Sequence, residues 1–135
     1  MVNKKILVTG SAGFIGFHLC KLLLELDWDV IGIDGFTSYY DVNLKKKRTY
    51  LLKKYPNFKV FSTMIEDQDA ISKIFSNNQP EVVIHLAAQA GVRYSVENPK
   101  AYIDSNLIGT YNILECCKDN PIKHLLLAST SSVYG

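Results

Sequence analysis

The sequence has little of what would assign it to several broad classes. There are three cysteines, Cys20, Cys116 and Cys117. Their odd number, the adjacency of two of them and the lack of metal-ligand spacing argue against a disulfide framework and against a metal centre. Cys20 and one of the pair are expected to pack in helices as small apolar groups. No sign of charge dominates: the net charge is +2, so no nucleic-acid footprint is implied. The one basic run, Lys45-Lys46-Lys47-Arg48, reads as the solvated face of a helix, with a place near a phosphate as the alternative. No apolar stretch is long enough to cross a membrane. Only Ile6, Leu7 and Val8 separate Lys4-Lys5 from Thr9-Gly10, too few for the apolar core of a signal peptide. Linkers and low-complexity segments are missing too. One domain in a reducing cytoplasm is expected, and an apolar content of 47% over 135 residues suffices for its core.

What is present is alternation. Residues 4–9 read as strand, 13–26 as helix, 29–33 as strand and 43–54 as helix, the last with Leu44, Leu51 and Leu52 as core contacts. Residues 59–61 read as a short strand, 68–75 as helix, 81–86 as a buried strand, 99–118 as a long helix and 123–128 as strand. Strands that are apolar almost throughout, alternating with helices, imply a parallel sheet covered on both faces. Right-handed crossovers favour the strand order 3-2-1-4-5. In such a doubly wound α/β sheet, ligands lie beyond the carboxyl ends of the strands, at the switch between strands 1 and 4. Residues 10–16, 34–40, 86–93 and 129–135 meet there.

The first of these segments is the most specific. Thr9-Gly10-Ser11-Ala12-Gly13-Phe14-Ile15-Gly16 places three glycines where a buried strand turns into an amphipathic helix. Such a turn lets backbone N–H groups approach a ligand, and the helix brings its positive end to the same spot, which suits a pyrophosphate. A second apolar strand ends in Asp34, 24 positions after Gly10. That is close to the spacing at which a carboxylate takes the ribose hydroxyls of a dinucleotide.

Further motifs carry a resemblance. His85-Leu86-Ala87-Ala88, Asn106 followed by Gly109-Thr110-Tyr111-Asn112, and Ser129-Thr130-Ser131-Ser132-Val133-Tyr134-Gly135 are similar to the extended short-chain dehydrogenase/reductase family. Within it the chain resembles the nucleotide-sugar epimerase/dehydratase branch. Asp34-Gly35-Phe36-x-x-Tyr39-Tyr40-Asp41 and Ala88-Gln89-Ala90-Gly91-Val92-Arg93-Tyr94-Ser95 are most similar to UDP-glucuronate 4-epimerases. The resemblance implies the N-terminal portion of a Rossmann-type NAD-binding domain over residues 1–135, truncated after strand 5. It implies a transient 4-keto sugar in the whole enzyme. It puts Gly10, Gly13 and Gly16 at the pyrophosphate, with Phe14 and Ile15 supplying backbone donors. Asp34 would hold the adenosine ribose, followed by Gly35 and Phe36. With no arginine immediately after Asp34 to pair a 2′-phosphate, NAD is favoured over NADP. Leu86, Ala87, Ala88 and Gln89 would pass beneath the cofactor, with Ser129 also at the site. Thr130 aligns with the hydroxyl that holds the reacting sugar oxygen, and Asn106 with the asparagine that props the site from behind. Ser131 and Ser132 would face the UDP-sugar. Arg93 would reach its carboxylate or phosphate, with a solvated loop arginine as the alternative. His85 reads as a satisfied strand residue, not a base.

Two departures follow from the same comparison. The family usually has Gly-Asp-Ile/Leu after strand 3, the acid holding the adenine amino group. Here Thr63-Met64-Ile65 stands in its place: Met64 can pack against adenine but cannot accept that hydrogen bond, and Glu66 and Asp67, which follow, are expected to compensate poorly. The family's Tyr-x-x-x-Lys base pair lies some two dozen residues beyond the serine-rich turn, whereas this sequence reaches Gly135. Tyr134 has no lysine four positions on and is not nominated. The expectation is a chain inactive by itself, lacking the substrate domain, with strand 5 at an edge and apolar surface inviting self-association, the whole enzyme being a homodimer. Alternatives are a dehydratase or decarboxylase of the same family, or a non-catalytic NAD-binding module. A dehydratase would carry an Asp-Glu pair where Ser131-Ser132 stands.

Overall fold

Ile6, Leu7 and Val8 are apolar on both faces of their strand, and all are buried, as only a central strand of a two-sided sheet requires. The structure, a computed structural model, describes residues 4–135. Strand β1 (Lys5–Thr9) leads through the glycine turn into helix α1 (Phe14–Glu25). Then follow β2 (Asp29–Asp34), α2 (Val42–Leu52), β3 (Phe58–Ser62), α3 (Gln68–Asn78) and β4 (Val82–His85). Two short helices, α4 (Val92–Glu97) and α5 (Pro99–Tyr102), precede a widened π-type segment, Ile103–Ile108, that runs on into α6 (Gly109–Asp119). Strand β5 (His124–Leu127) and a 3-10 turn, Ser131–Tyr134, complete the described chain. The five strands are parallel in the order β3-β2-β1-β4-β5, the order expected from the sequence.

Two cores lie on opposite faces of the sheet. One gathers Leu7, Ile31, Ile33, Ile71, Phe75 and Val83 with Ile113 and Cys116 of α6. The other packs Cys20, Leu23 and Leu24 of α1 with Ile6, Val8, Val30, Leu52 and Phe58. Cys20 and Cys116 are buried as small apolar groups, and burial pushes the Cys20 thiol up to about 12. Strand β5 forms one edge of the sheet, with Leu126 and Leu127 both 46% exposed.

Several expectations are corrected. Leu44 and Leu51 are 42% and 47% exposed, and Leu52 alone of the three enters the core. The buried face of α2 is completed by Lys45 and Thr49. The basic run divides: Lys46 and Lys47 are exposed as expected, whereas Lys45 is buried against Asp34 and Thr37 and the half-buried Arg48 reaches Ala12 in the glycine turn. Residues 92–97, assigned to no helix or strand from the sequence, form α4. The long helix from Pro99 is broken in winding, though not in direction, by the segment Ile103–Ile108.

Candidate functional site

A cleft of about 380 Å³ opens along the carboxyl ends of the strands. Gly10, Gly13, Phe14, Ile15, Gly16, Asp34, Gly35, Leu86, Ala87, Ala88 and Gln89 line it together. Its floor is set by the glycine turn. Gly10 has φ +75°, and a Cβ there would meet the Ala87 backbone at 3.1 Å, so β1 and β4 meet with no room for a side chain. Gly13 caps α1 with no side-chain acceptor, which leaves the first-turn amides facing the cleft as an anion-binding end.

Asp34 joins two loops. Its Oδ2 accepts from Ala12 N–H at 2.9 Å and its Oδ1 from Phe36 N–H at 2.8 Å. Lys45 Nζ stands 4.0 Å from Oδ1, donates to the carbonyl and hydroxyl of Thr37 at 3.3 and 3.4 Å, and lies over the Tyr40 ring. Arg48 donates to Ala12 O at 3.1 Å and Tyr40 Oη at 3.2 Å. Thus α2 ties the glycine turn to the segment that follows β2. The sequence reasoning missed Thr37, Tyr40, Lys45, Ile65, Ser105 and Ala128, which also line the cleft, along with Met64. The signal available for Lys45 was its position eleven residues past Asp34, on the helix that must fold back over β2.

At the switch point, Thr9, His85 and Thr110 form a chain. Thr9 Oγ1 accepts from the Leu86 and Ala87 amides, each at 3.0 Å, and lies 2.7 Å from His85 Nδ1. With its lone pairs so engaged, the hydroxyl donates to Nδ1, and the ring proton sits on Nε2, 3.2 Å from Thr110 Oγ1. Burial lowers His85 to about 4, and a proton on Nδ1 would face a donor that has no acceptor to offer. His85 is a satisfied strand residue that fixes Leu86 and Ala87 under the cleft. Because its folded pKa lies below the ordinary 6.5, the unfolded chain takes up the proton first. Stability is full above about pH 6.5 and falls as the pH drops toward 4, by up to about 3 kcal/mol from this group. Urea unfolding across that window should show this slope in the wild type and lose it in His85→Gln.

Asn106, in the widened segment, clamps one residue at both backbone positions. Its Oδ1 accepts from Gln89 N–H at 2.8 Å and its Nδ2 donates to Gln89 O at 3.0 Å. Thr130 is exposed past the end of β5, its Oγ1 accepting from Ser132 N–H at 3.1 Å. Other expected site residues lie elsewhere. The Phe36 side chain lines a separate hollow with Lys46, Thr49, Tyr50, Lys53 and Ser62, and only its amide reaches Asp34. Its φ is 52°. Ser129, Ser131 and Ser132 are exposed and outside the cleft wall, where Ala128 represents that segment. Arg93 is exposed on α4, also outside that wall. Two Tyr-x-x-x-Lys spacings do occur, Tyr50–Lys54 and Tyr55–Lys59; none of the four residues lines the cleft.

A profile described as GDP-mannose 4,6 dehydratase matches residues 7–135. The chain belongs to the GDP-mannose 4,6 dehydratase family. This family member is 55% identical over 129 residues to a probable UDP-glucuronate 4-epimerase of Rhizobium meliloti, covering 96% of this chain and 38% of that protein. It is 50% identical to the UDP-glucuronate 4-epimerase of Thermodesulfobacterium geofontis, over 96% of this chain and 40% of that one. Among solved structures, the Bacillus cereus UDP-glucuronic acid 4-epimerase in complex with UDP-glucuronic acid and NAD superposes with a TM-score of 0.87 at 40% identity. That match covers 97% of this chain and 41% of the other. The family member thus spans about two fifths of the length of the relatives it matches.

Proposed function

We propose that residues 1–135 are the N-terminal, NAD-binding portion of a nucleotide-sugar 4-epimerase acting on UDP-glucuronate. The observation that carries this is the position of Asp34. Its carboxylate is pinned to the glycine turn through Ala12 N–H, so pyrophosphate donors and a ribose acceptor are held in one rigid unit. The cradle fits a dinucleotide: a side chain on Gly10 would press on the Ala87 backbone, and the uncapped start of α1 faces the same space. The relatives named above as UDP-glucuronate 4-epimerases support the reaction class.

Gly10, Gly13 and Gly16 with the Phe14 and Ile15 amides hold the pyrophosphate, and Asp34, backed by Lys45, holds the ribose. Gly35, with no side chain, lets Met64 pack against the backbone just past Asp34. Leu86, Ala87, Ala88 and Gln89 form the shelf beneath the nicotinamide half, which Asn106 fixes through Gln89. Bound there, NAD supplies a reversible hydride acceptor for the sugar's C4. Thr130, whose hydroxyl proton is free to donate, holds the 4-oxygen, with Ser129, Ser131 and Ser132 around it and Arg93 toward the sugar's anionic groups. The two residues after Thr130 are serines, not the acidic pair a dehydratase would need, which favours epimerisation. Turnover needs the tyrosine–lysine base, so the 135 residues alone bind cofactor without epimerising. Three free thiols suit a reducing cytoplasm. Ile103, Leu107, Tyr111 and Leu114, exposed along one side of the long helix, suit pairing with a second copy.

Calorimetric titration tests the core of this reading. NAD should bind with millimolar or better affinity. NADP should bind at least about tenfold more weakly, because its 2′-phosphate would meet the Asp34 carboxylate. Indifference to both dinucleotides overturns the assignment.

A further inference from the structure

Strand β3 lies beside β2 on the side away from β1, so a purine carried on a ribose held at Asp34 extends toward the end of β3. There the wall is Gly35, Met64 and Ile65. Met64 Sδ packs so close to Gly35 that a Cβ on the glycine would lie 2.2 Å from it. A thioether gives the purine a polarizable face but only a weak acceptor. Asp67 is already committed, its Oδ1 accepting from Ala70 N–H at 3.1 Å as the cap of α3.

Glu66 is not committed in this way. Among the described residues, its Oε2 is one of two buried side-chain polar atoms with no hydrogen-bond partner, the other being Ser11 Oγ. Glu66 lines a hollow of about 290 Å³ that shares Thr37, Met64, Gln89 and Ser105 with the main cleft. A buried carboxylate oxygen without a donor is costly to the folded chain and calls for a partner that arrives from outside. The amino group of adenine is a donor of the right kind, at the end of the cleft where the purine must lie.

Resting on the NAD reading above, we propose that Glu66 accepts the exocyclic amino group of the cofactor's purine and makes this chain select adenine. Hypoxanthine would turn a carbonyl oxygen toward the carboxylate and be rejected. Two dinucleotides, NAD and its hypoxanthine analogue, are titrated by calorimetry into wild type, Glu66→Ala and Glu66→Gln. Wild type should favour NAD by about tenfold or more, the discrimination expected of one hydrogen bond to a charged group. Glu66→Ala should bind both within about twofold, and Glu66→Gln, which keeps an acceptor oxygen, should recover part of the preference. The thermal midpoint of unliganded Glu66→Ala should equal or exceed that of wild type, since an unpaired buried oxygen is removed. A preference that survives in Glu66→Ala, or a wild type that binds both equally well, overturns the proposal and leaves the NAD site standing. A wild type that binds neither overturns both.

Discussion

Replacing Gly16 with alanine should abolish the proposed dinucleotide binding and destabilise the fold by about 3 kcal/mol or more, at the upper end of overpacking effects. A Cβ at Gly16 would lie 1.9 Å from Gly10 O, 2.8 Å from Gly10 C and 3.1 Å from Ser11 Cα. All three are backbone atoms, so no side chain can swing aside. Relief requires α1 to move off the turn, and Cys20, Leu23 and Leu24 would then withdraw from the core they share with Ile6 and Val8. The turn would also lose the placement of its amides. Gly13→Ala is the informative control: its Cβ would sit 3.2 Å from the same carbonyl oxygen, so its cost should be clearly smaller. Denaturant midpoints at constant m-value measure the stability term, and NAD titration the binding term. A Gly16→Ala protein as stable as wild type and with intact NAD affinity would contradict the packing described.

Asp34→Ala should cost about 3–5 kcal/mol, the range for removing one partner of a buried ion pair. The carboxylate is 7% exposed, and its loss leaves the Ala12 and Phe36 amides without their acceptor. It also leaves Lys45, itself buried, without its counter-charge. Cofactor binding should fall by more than about 100-fold, since the proposed ribose acceptor and the anchoring of the turn disappear together. The cause is separable by a double-mutant cycle. If the stranded ammonium carries much of the penalty, Lys45→Met in the Asp34→Ala background should restore part of the stability while NAD affinity stays lost. Additive penalties for the two substitutions would show that Lys45 and Asp34 act independently, against the geometry.

The sheet order and the glycine turn were legible because they depend on patterns with few physical alternatives. Apolar runs such as Val30-Ile31-Gly32-Ile33 need burial on both faces, and right-handed crossovers favour the order observed for the five strands. Asp34 was legible through spacing alone. Lys45 and Arg48 were not, because a Lys-Lys-Lys-Arg run reads as solvated. Here the carboxylate of Asp34 and the carbonyls of Ala12 and Thr37 compensate the inward-turned charges. With two cations on its inner side, α2 lacks the apolar periodicity that would have marked its buried face. The separate hollow that the Phe36 side chain lines was not legible, because a positive φ is a local backbone choice that residue spacing does not reveal. Glu66 was expected, with Asp67, to compensate poorly for the acid that Met64 replaces. That one of its oxygens is buried and unpartnered depends on how β3, α3 and α5 converge.

The widened winding of Ile103–Ile108 has a geometric consequence. It works as a phase offset between two stretches of one rod. Each residue advances a regular helix by about 100°, so deleting a single position there would rotate Asn106 and everything before it relative to Gly109 and Asn112. Those two residues are held against Ile65, by close packing and by a 3.0 Å bond from Asn112 Nδ2 to its carbonyl. The far end of the rod is therefore indexed to the β3–α3 turn and the near end to Gln89. The surplus residue keeps both indices true at once.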